Sequence, residues 1–224
     1  MKNKQTIFKT VLLCAFTVLL FSCNKDVVEP TPQVWNYSTF TDTRDGKKYK
    51  FIKIGNQEWM AENLAFKTDS GSWFTWESEA EGTKFGRLYT WDAAIKAVPA
   101  GWHLPSDAEW KQLEINLGMS QSDANRDDTR GTTEGSKLKA TSGWTINDNV
   151  SGNGTDEVGF SALPGGFRSN SGSYYGTGTY GYWWSATEND NLKAWIRYIT
   201  YYRMEIYRSF SFKQDGYSVR CVKD

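Results

Sequence analysis

The chain of 224 residues offers few side chains suited to acid–base or nucleophilic chemistry, and it holds a single histidine, His103. As a general base, His103 would need a nucleophile and an orienting partner. The sequence has no Gly-x-Ser-x-Gly elbow to supply a serine nucleophile. His103 instead stands beside Ser106 and Glu109, which have the spacing of a helix capping box. We therefore expect His103 to be structural and no residue to be catalytic.

The three cysteines also have non-catalytic interpretations. They are Cys14, Cys23 and Cys221. Cys221 lies in an alternating segment, residues 217–221, and we expect it to be a small buried side chain. Near the start of the chain, lysines precede a short apolar run, residues 11–21. Ser22 follows this run, and Cys23 comes directly after Ser22. This ending resembles the lipobox of bacterial lipoproteins.

The lipobox predicts the domain organisation and the location of the chain. Residues 1–22 form a lipoprotein signal peptide, residues 23–36 a lipidated polar tether, and residues 37–224 one domain. Acylated Cys23 would then attach the chain to the lipid bilayer of the bacterial cell envelope, with the outer membrane as the expected site. The alternative is an ordinary signal peptide in which the cysteine occurs by chance.

Charge excludes a nucleic-acid partner. Lysine and arginine number 26, as do aspartate and glutamate, so there is no cationic excess to displace phosphate counterions. Cleavage before Cys23 removes three lysines, which leaves 23 basic against 26 acidic side chains and a net charge of −3. Membrane association is therefore expected through lipid rather than through a basic patch.

A glycine pattern in residues 176–181 matches G-x-G-x-x-G. A dinucleotide site requires a helix directly after this motif. Here Tyr182, Trp183 and Trp184 follow, which favours a strand, and we predict no nucleotide site.

Two segments could supply oxygen ligands to calcium, but neither has a complete pattern. In residues 123–134, Asp128 stands where the calcium loop needs glycine, and Arg130 stands where an apolar residue is typical. The second set lies in a glycine-rich loop and consists of Asn147, Asp148, Asn153 and Asp156. Asn, Asp and Gly also favour turns without metal. We expect no cofactor and no metal, with calcium as the open alternative.

Aromatic side chains give the strongest functional indication. Residues 165–181 set several rings on a Gly- and Ser-rich frame, and Glu77, Glu79 and Glu81 follow two tryptophans. Such rings can stack on sugars or anchor protein partners. The candidate ligand-binding residues are Trp73, Trp76, Phe167, Tyr174, Tyr175 and Tyr180. We expect them to bind a glycan or another surface polymer, or alternatively a surface protein. Packing of these rings on a sheet is the competing explanation.

Periodicity predicts the elements that position these residues. A turn at Gly55 and Asn56 joins two strands, residues 49–54 and 57–60. Helical spacing in residues 91–98 ends at Pro99, and a second helix follows Ser106. Residues 194–202, 204–212 and 217–221 alternate as strands. Aromatic residues make up 16% of the chain, which demands a substantial core. Together these predict one loop-rich α+β domain with two or three helices on short twisted antiparallel sheets.

Six segments of the sequence resemble one known family in the expected order. They are residues 55–64, 86–94, 101–106, 159–166, 182–187 and 218–222, several of them anchored by tryptophan. Together they resemble the Fibrobacter succinogenes major paralogous domain, found on exported bacterial proteins and without an established biochemical role.

A weaker similarity concerns residues 103–110, which resemble the start of a helix in formylglycine-generating-enzyme-like domains. That resemblance implies a C-type-lectin-like fold. The oxidase activity of those enzymes needs a pair of cysteines, whereas Cys221 stands alone here, so the resemblance does not bring the activity with it.

Overall fold

Two sheets carry most of the regular backbone. The computed structural model describes residues 33–147 and 150–224, and Val34–Asp224 forms a compact unit with its own core. The strands are β1 Ser38–Thr41, β2 Lys48–Ile54, β3 Gln57–Met60, β4 Ser72–Phe74, β5 Arg87–Tyr89, β6 Trp102–His103, β7 Asp128–Arg130, β8 Ile146–Asn147, β9 Val150–Ser151, β10 Gly165–Arg168, β11 Tyr174–Thr177, β12 Tyr180–Glu188, β13 Lys193–Thr200, β14 Ile206–Phe212, β15 Tyr217–Ser218 and β16 Val222–Lys223.

The smaller sheet contains the predicted hairpin. Its order is β1-β2-β3-β16-β6. Strands β2 and β3 pair antiparallel with Ile54 opposite Gln57, so Gly55 and Asn56 make the turn as the sequence predicted.

The larger sheet runs β4-β5-β15-β12-β13-β14-β7, with β10 joined to β12 and β11 joined to β10. Most pairs are antiparallel, whereas β12 runs parallel to β10 and to β15. The predicted C-terminal strands are confirmed in outline, since β13 and β14 pair antiparallel from Lys193 opposite Phe212 to Tyr198 opposite Tyr207.

Five α-helices occur in the described part of the chain, more than the two or three predicted. They are α1 Glu79–Phe85, α2 Trp91–Ala97, α3 Asp107–Asn116, α4 Gln121–Ala124 and α5 Glu134–Leu138. The two predicted helices are α2 and α3, and the capping box of Ser106 and Glu109 is present in full. The fold class is thus α+β, as predicted. Among the described residues, no helix is long and apolar enough to cross a membrane.

Strand β12 separates two apolar clusters because adjacent side chains on a strand point to opposite faces. Trp184 packs in one cluster with Tyr49, Tyr89 and Cys221. Trp183 packs in the other cluster, whose largest side chains are Trp59, Trp110, Trp144, Phe160 and Trp183 itself. Helix α3 covers the second cluster and also carries Glu114, whose Oε1 accepts hydrogen bonds from Arg130 at 2.6 Å and from Arg197 at 2.7 Å.

Candidate functional site

An exposed tryptophan is held in a strained backbone conformation beside the larger sheet. Residues 72–77, here called the tryptophan loop, comprise β4 and a 3-10 turn. Trp76 and Glu77 have φ values of 56° and 54°, a left-handed conformation that costs non-glycine residues roughly 1 kcal/mol or more each. The Trp76 side chain is nevertheless 58% exposed. Such strain persists only where surrounding contacts enforce it, and these contacts come from a neighbouring hairpin.

The neighbouring hairpin, residues 165–177, is here called the tyrosine hairpin and pairs β10 with β11. Trp76 Nε1 donates a hydrogen bond to Thr177 Oγ1 at 3.1 Å, and its ring lies 5.6 Å from the Tyr174 ring. The buried hydroxyl of Thr75 donates to the Gly165 carbonyl at 3.1 Å. The hairpin therefore fixes the tryptophan loop at three points.

The register of the hairpin divides its side chains between two faces. Phe167 lies opposite Tyr175, and Arg168 lies opposite Tyr174. Because successive residues of a strand alternate, Arg168 and Tyr174 turn toward the tryptophan loop, whereas Phe167 and Tyr175 turn away from it. The six predicted rings divide between two surfaces.

The first surface contains Trp73, Trp76 and Tyr174, together with Arg168. The guanidinium carbon of Arg168 lies 4.0 Å from the centre of the Trp73 ring and 5.8 Å from that of Tyr174. Within the described ranges, no carboxylate lies within 4.0 Å of Arg168, and neither its Nε nor the Tyr174 hydroxyl has a hydrogen-bond partner. Burial raises the pKa of Tyr174, so its hydroxyl keeps its proton at neutral pH. Both groups are shielded from solvent, so the exposed indole of Trp76 is the candidate ligand contact on this surface.

A cleft of about 270 Å³ borders this surface. Its lining residues are Lys67, Ser72, Trp73, Phe74, Glu77, Glu79 and Arg87. The Arg87 guanidinium lies 3.7 Å from the Phe74 ring centre, and burial lowers the pKa of Arg87. Phe74 can occupy this position because Gly82 has no Cβ atom. A Cβ there would overlap the Phe74 ring. The cleft combines aromatic faces with carboxylates and a guanidinium, the side chains that contact the C–H and hydroxyl groups of sugars.

The second surface contains Phe167, Tyr175 and Tyr180. Phe167 packs against Tyr175 at 5.4 Å and Tyr182 at 5.2 Å, and Tyr180 stacks on Tyr182 at 5.7 Å. Phe167 and Tyr180 are half-buried, so the competing explanation of packing on the sheet holds for both. Tyr175 is 51% exposed and is the most accessible of the three.

Sequence reasoning missed a row of tyrosines across this face. Tyr182 lies opposite Tyr198 on β13, which lies opposite Tyr207 on β14. The ring centres are 5.1 Å and 4.3 Å apart. Burial raises the pKa of both Tyr182 and Tyr198 well above the ordinary value. Since each ring covers a face of its neighbour, this row offers fewer free ring faces for a ligand than the first surface.

His103 and Cys221 have structural environments. His103 Nε2 lies 2.6 Å from Glu109 Oε1, and Nδ1 lies 2.7 Å from Asp224 Oδ1. Cys221 is fully buried in the core, and burial strongly raises the pKa of its thiol. The prediction that Cys221 is a small buried side chain is therefore confirmed.

The candidate calcium ligands of residues 123–134 contact other protein groups. Asp127 pairs with Arg208, and Glu134 Oε2 accepts the backbone N–H groups of Thr132 and Thr133. Arg130, at the eighth position of this segment, pairs with Glu114 inside the protein.

The second set of candidate calcium ligands lies only partly within the described residues. Asp156 accepts two hydrogen bonds from Ser161, and Asn153 Oδ1 accepts one from the Trp144 backbone. Asp148 lies outside the described residues, as does the side chain of Asn147. No group of three or more His, Cys, Asp or Glu side chains suited to a metal occurs among the residues described.

The glycine pattern in residues 176–181 forms the turn between β11 and β12, where the Thr179 N–H donates to the Gly176 carbonyl at 3.0 Å. A strand follows it, as predicted.

Fold and site together define an aromatic-rich α+β domain with rigid exposed rings at one sheet margin. The family model of the Fibrobacter succinogenes major domain matches residues 52–223, so the chain belongs to this family. Neither a curated protein nor a solved structure was found to match the chain. The more distant C-type-lectin-like similarity stays a prediction, and Cys23 with residues 1–22 lies outside the described residues.

Proposed function

We propose that this chain is a lipid-anchored, non-enzymatic module of the bacterial cell envelope that binds a carbohydrate or other surface polymer through the tryptophan loop. The observation that carries the proposal is Trp76, an exposed indole fixed in a left-handed backbone by Thr177 and Tyr174. Backbone strain that surrounds an exposed ring is typical of ligand contacts.

The polar groups around Trp76 suit a hydroxyl-rich ligand. In the adjoining cleft the Lys67 amine can donate hydrogen bonds, whereas the carboxylates of Glu77 and Glu79 can accept them. Trp76 is already held before binding, so little side-chain entropy is lost when a ligand stacks on it. A preformed ring with flanking donors and acceptors favours shallow binding of a polymer over enclosure of a small substrate.

The test is binding of the Val34–Asp224 fragment to immobilised peptidoglycan, lipopolysaccharide, cellulose and xylan. We expect at least one polymer to retain the fragment and Trp76→Ala to weaken retention. Phe212→Ala is the matched control, because Phe212 is an exposed ring on β14 that is 45% accessible and lies outside the tryptophan loop and the tyrosine hairpin. Failure of all four polymers to bind, or equal losses in both variants, would count against the proposal.

The membrane anchor is a separate part of the proposal and has its own test. Cells expressing the full chain would be labelled with an alkyne fatty acid and fractionated. We expect the label and the outer-membrane location to depend on Cys23, so that Cys23→Ala loses both while Cys14→Ala keeps both. Label retained in Cys23→Ala would contradict lipidation at this position.

A protein partner is the second candidate, and the outer edge of β14 favours it. Strand β7 pairs with β14 only from Ile206 to Arg208, so within the described residues the edge from residue 209 to 212 has no strand beside it. Phe210 and Phe212 are exposed there, and the Lys193 amine lies about 5 Å from each ring. An open edge with apolar side chains can accept an added strand. A cross-linking group placed at Ser211 in cells would recover such a partner.

A further inference from the structure

A cavity lined by lysines lies apart from the tryptophan loop. Its volume is about 290 Å³, near the lower end for ligand pockets and suited to a small molecule. The lining residues are Tyr37, Lys47, Lys50, Ala61, Glu62, Asn63, Thr83, Lys84, Gly86, Ser161 and Leu163. Three segments that carry the family resemblance meet here, namely residues 55–64, 86–94 and 159–166.

The three lysines come from different elements and none is neutralised nearby. Lys47 precedes β2, Lys50 lies within it, and Lys84 lies on α1. Among the described residues, no carboxylate oxygen lies within 4.0 Å of any of these three amines, although the salt bridges of other lysines are present. Glu62 is the carboxylate in the lining, and its Oε2 accepts the Lys50 backbone N–H at 2.9 Å.

Aromatic rings restrain the three amines. Lys47 lies 5.4 Å from the centre of the Tyr49 ring, Lys50 lies 5.5 Å from that of Tyr37, and Lys84 lies 4.6 Å from that of Phe85. Such cation–π contacts hold an ammonium group without cancelling its charge. The cavity is therefore lined by three positioned cations and one carboxylate, that of Glu62.

A fourth cation lies behind the wall of the cavity. Arg220 is fully buried, and its guanidinium donates to Asn63 Oδ1 at 2.8 Å and to the Ser161 carbonyl at 2.9 Å, so it contacts two lining residues. Its other partners are the carbonyls of Met60 and Phe160. All four hydrogen-bond partners are neutral oxygens, and the nearby carboxylates of Asp156 and Glu62 offset part of the Arg220 charge. Arg220 therefore adds to the positive charge behind the cavity wall without being paired directly with a carboxylate.

We propose that this cavity binds a small anionic group, a carboxylate or a phosphate, through Lys47, Lys50 and Lys84. A neutral ligand is disfavoured because three lysines without a paired carboxylate line the same cavity, and an anion offsets their charge. The proposal uses residues distinct from those of the tryptophan loop and does not depend on polymer binding there.

The experiment titrates the Val34–Asp224 fragment with glucuronate, inorganic phosphate and glucose, and follows backbone amide NMR signals of residues 47–50 and 83–86. Glucose is the neutral match for glucuronate. We expect glucuronate, phosphate or both to bind at least about tenfold more tightly than glucose, the factor typical of one charge-assisted hydrogen bond. Tight glucuronate binding would indicate an acidic sugar, and binding of phosphate alone would indicate a phosphate group.

Substitutions locate the site. Lys50→Met and Lys84→Met keep most of the apolar stem, and each is expected to weaken anion binding about tenfold, whereas Lys50→Arg should retain it. Lys48→Met is the control, because Lys48 is an exposed neighbour on β2 that does not line the cavity. Trp76→Ala should leave anion binding unchanged, which separates this proposal from the function of the tryptophan loop. Glucuronate and phosphate binding no more tightly than glucose, or equal losses in Lys48→Met and Lys50→Met, would overturn the proposal.

Discussion

Trp76 Nε1 donates a hydrogen bond to Thr177 Oγ1 at 3.1 Å, across 101 positions of sequence. The bond ties the exposed end of the tryptophan loop to the last residue of β11. Together with the Tyr174 ring at 5.6 Å, it explains how an indole that is mostly in solvent can keep one orientation.

Removal of this hydrogen bond tests whether the fixed orientation of Trp76 matters. Thr177→Val keeps the shape of the side chain and removes the acceptor, so we expect polymer binding to weaken about fivefold, or about 1 kcal/mol. The melting temperature should change little, since the contact is exposed. Thr39→Val on β1 is the control, and it should leave both properties unchanged. A binding loss in both variants would show that orientation is not the cause.

The buried ion pairs under α3 predict a large loss of stability. Glu114 and its partners Arg130 and Arg197 have side chains no more than 1% exposed. Glu114→Gln would leave the buried Arg130 guanidinium without a counter-charge, whereas Arg197 would keep its ion pair with Asp107. We expect the free energy of unfolding to fall by about 3–5 kcal/mol. Urea denaturation measures this change.

Glu188→Gln provides the comparison for that measurement. Glu188 pairs with Lys213 at 2.9 Å, but its side chain is about half exposed. The loss expected there is about 0–1 kcal/mol. Similar losses in the two variants would show that burial does not control the contribution of these pairs.

We expect the free energy of unfolding to depend on pH through His103. Burial disfavours its protonation, but hydrogen bonds and charges from Glu109 and Asp224 outweigh that effect and raise its pKa. Unfolded histidine titrates near about 6.5, so the stabilisation by the imidazolium is fully present below this pH and is lost as pH rises through the folded pKa.

This is the one histidine of the chain, so the effect can be isolated. We expect the free energy of unfolding of the Val34–Asp224 fragment to fall as pH rises from about 6 to 8, and His103→Gln to remove that part of the slope. An unchanged slope in the variant would refute the assignment.

We expect the thiol of Cys221 to be unreactive in the folded protein. It is the single cysteine of the Val34–Asp224 fragment, and it is fully buried with a raised pKa. A chromogenic disulfide reagent should therefore label it slowly in the native protein and rapidly in urea. Rapid labelling of the native fragment would contradict the core position of this residue.

Local signals in the sequence were sufficient for much of the fold. The capping box of α3, the stop at Pro99 and the Gly55–Asn56 turn each depend on neighbouring residues. Helix α1 was missed because Gly82 weakens the helical pattern, although Ser78 caps the Glu81 N–H with the spacing of a helix start. Gly82 is needed there because the Phe74 ring occupies the space of a Cβ.

The candidate site was predicted only in part, for a physical reason. Tyr174 and Tyr175 lie on the same Gly- and Ser-rich segment, which groups them in the sequence, but adjacent residues of a strand face opposite ways. Once β11 is assigned, the division is predictable. The partnership of Arg168 with Trp73 is not, since it depends on how β4 and β10 approach each other across the larger sheet. The tyrosine row likewise depends on the register of β12, β13 and β14.

The most direct test of polymer binding at the tryptophan loop follows the indole N–H signals of the Val34–Asp224 fragment during titration with xylan, cellulose, peptidoglycan and lipopolysaccharide. The fragment holds 11 tryptophans, which Trp→Phe variants can assign. Binding at this loop predicts that the signals of Trp73 and Trp76 shift with one of these polymers, while the signals of buried Trp59 and Trp183 stay in place. Shifts confined to Trp195 on β13, or no shift with any of the four, would contradict it.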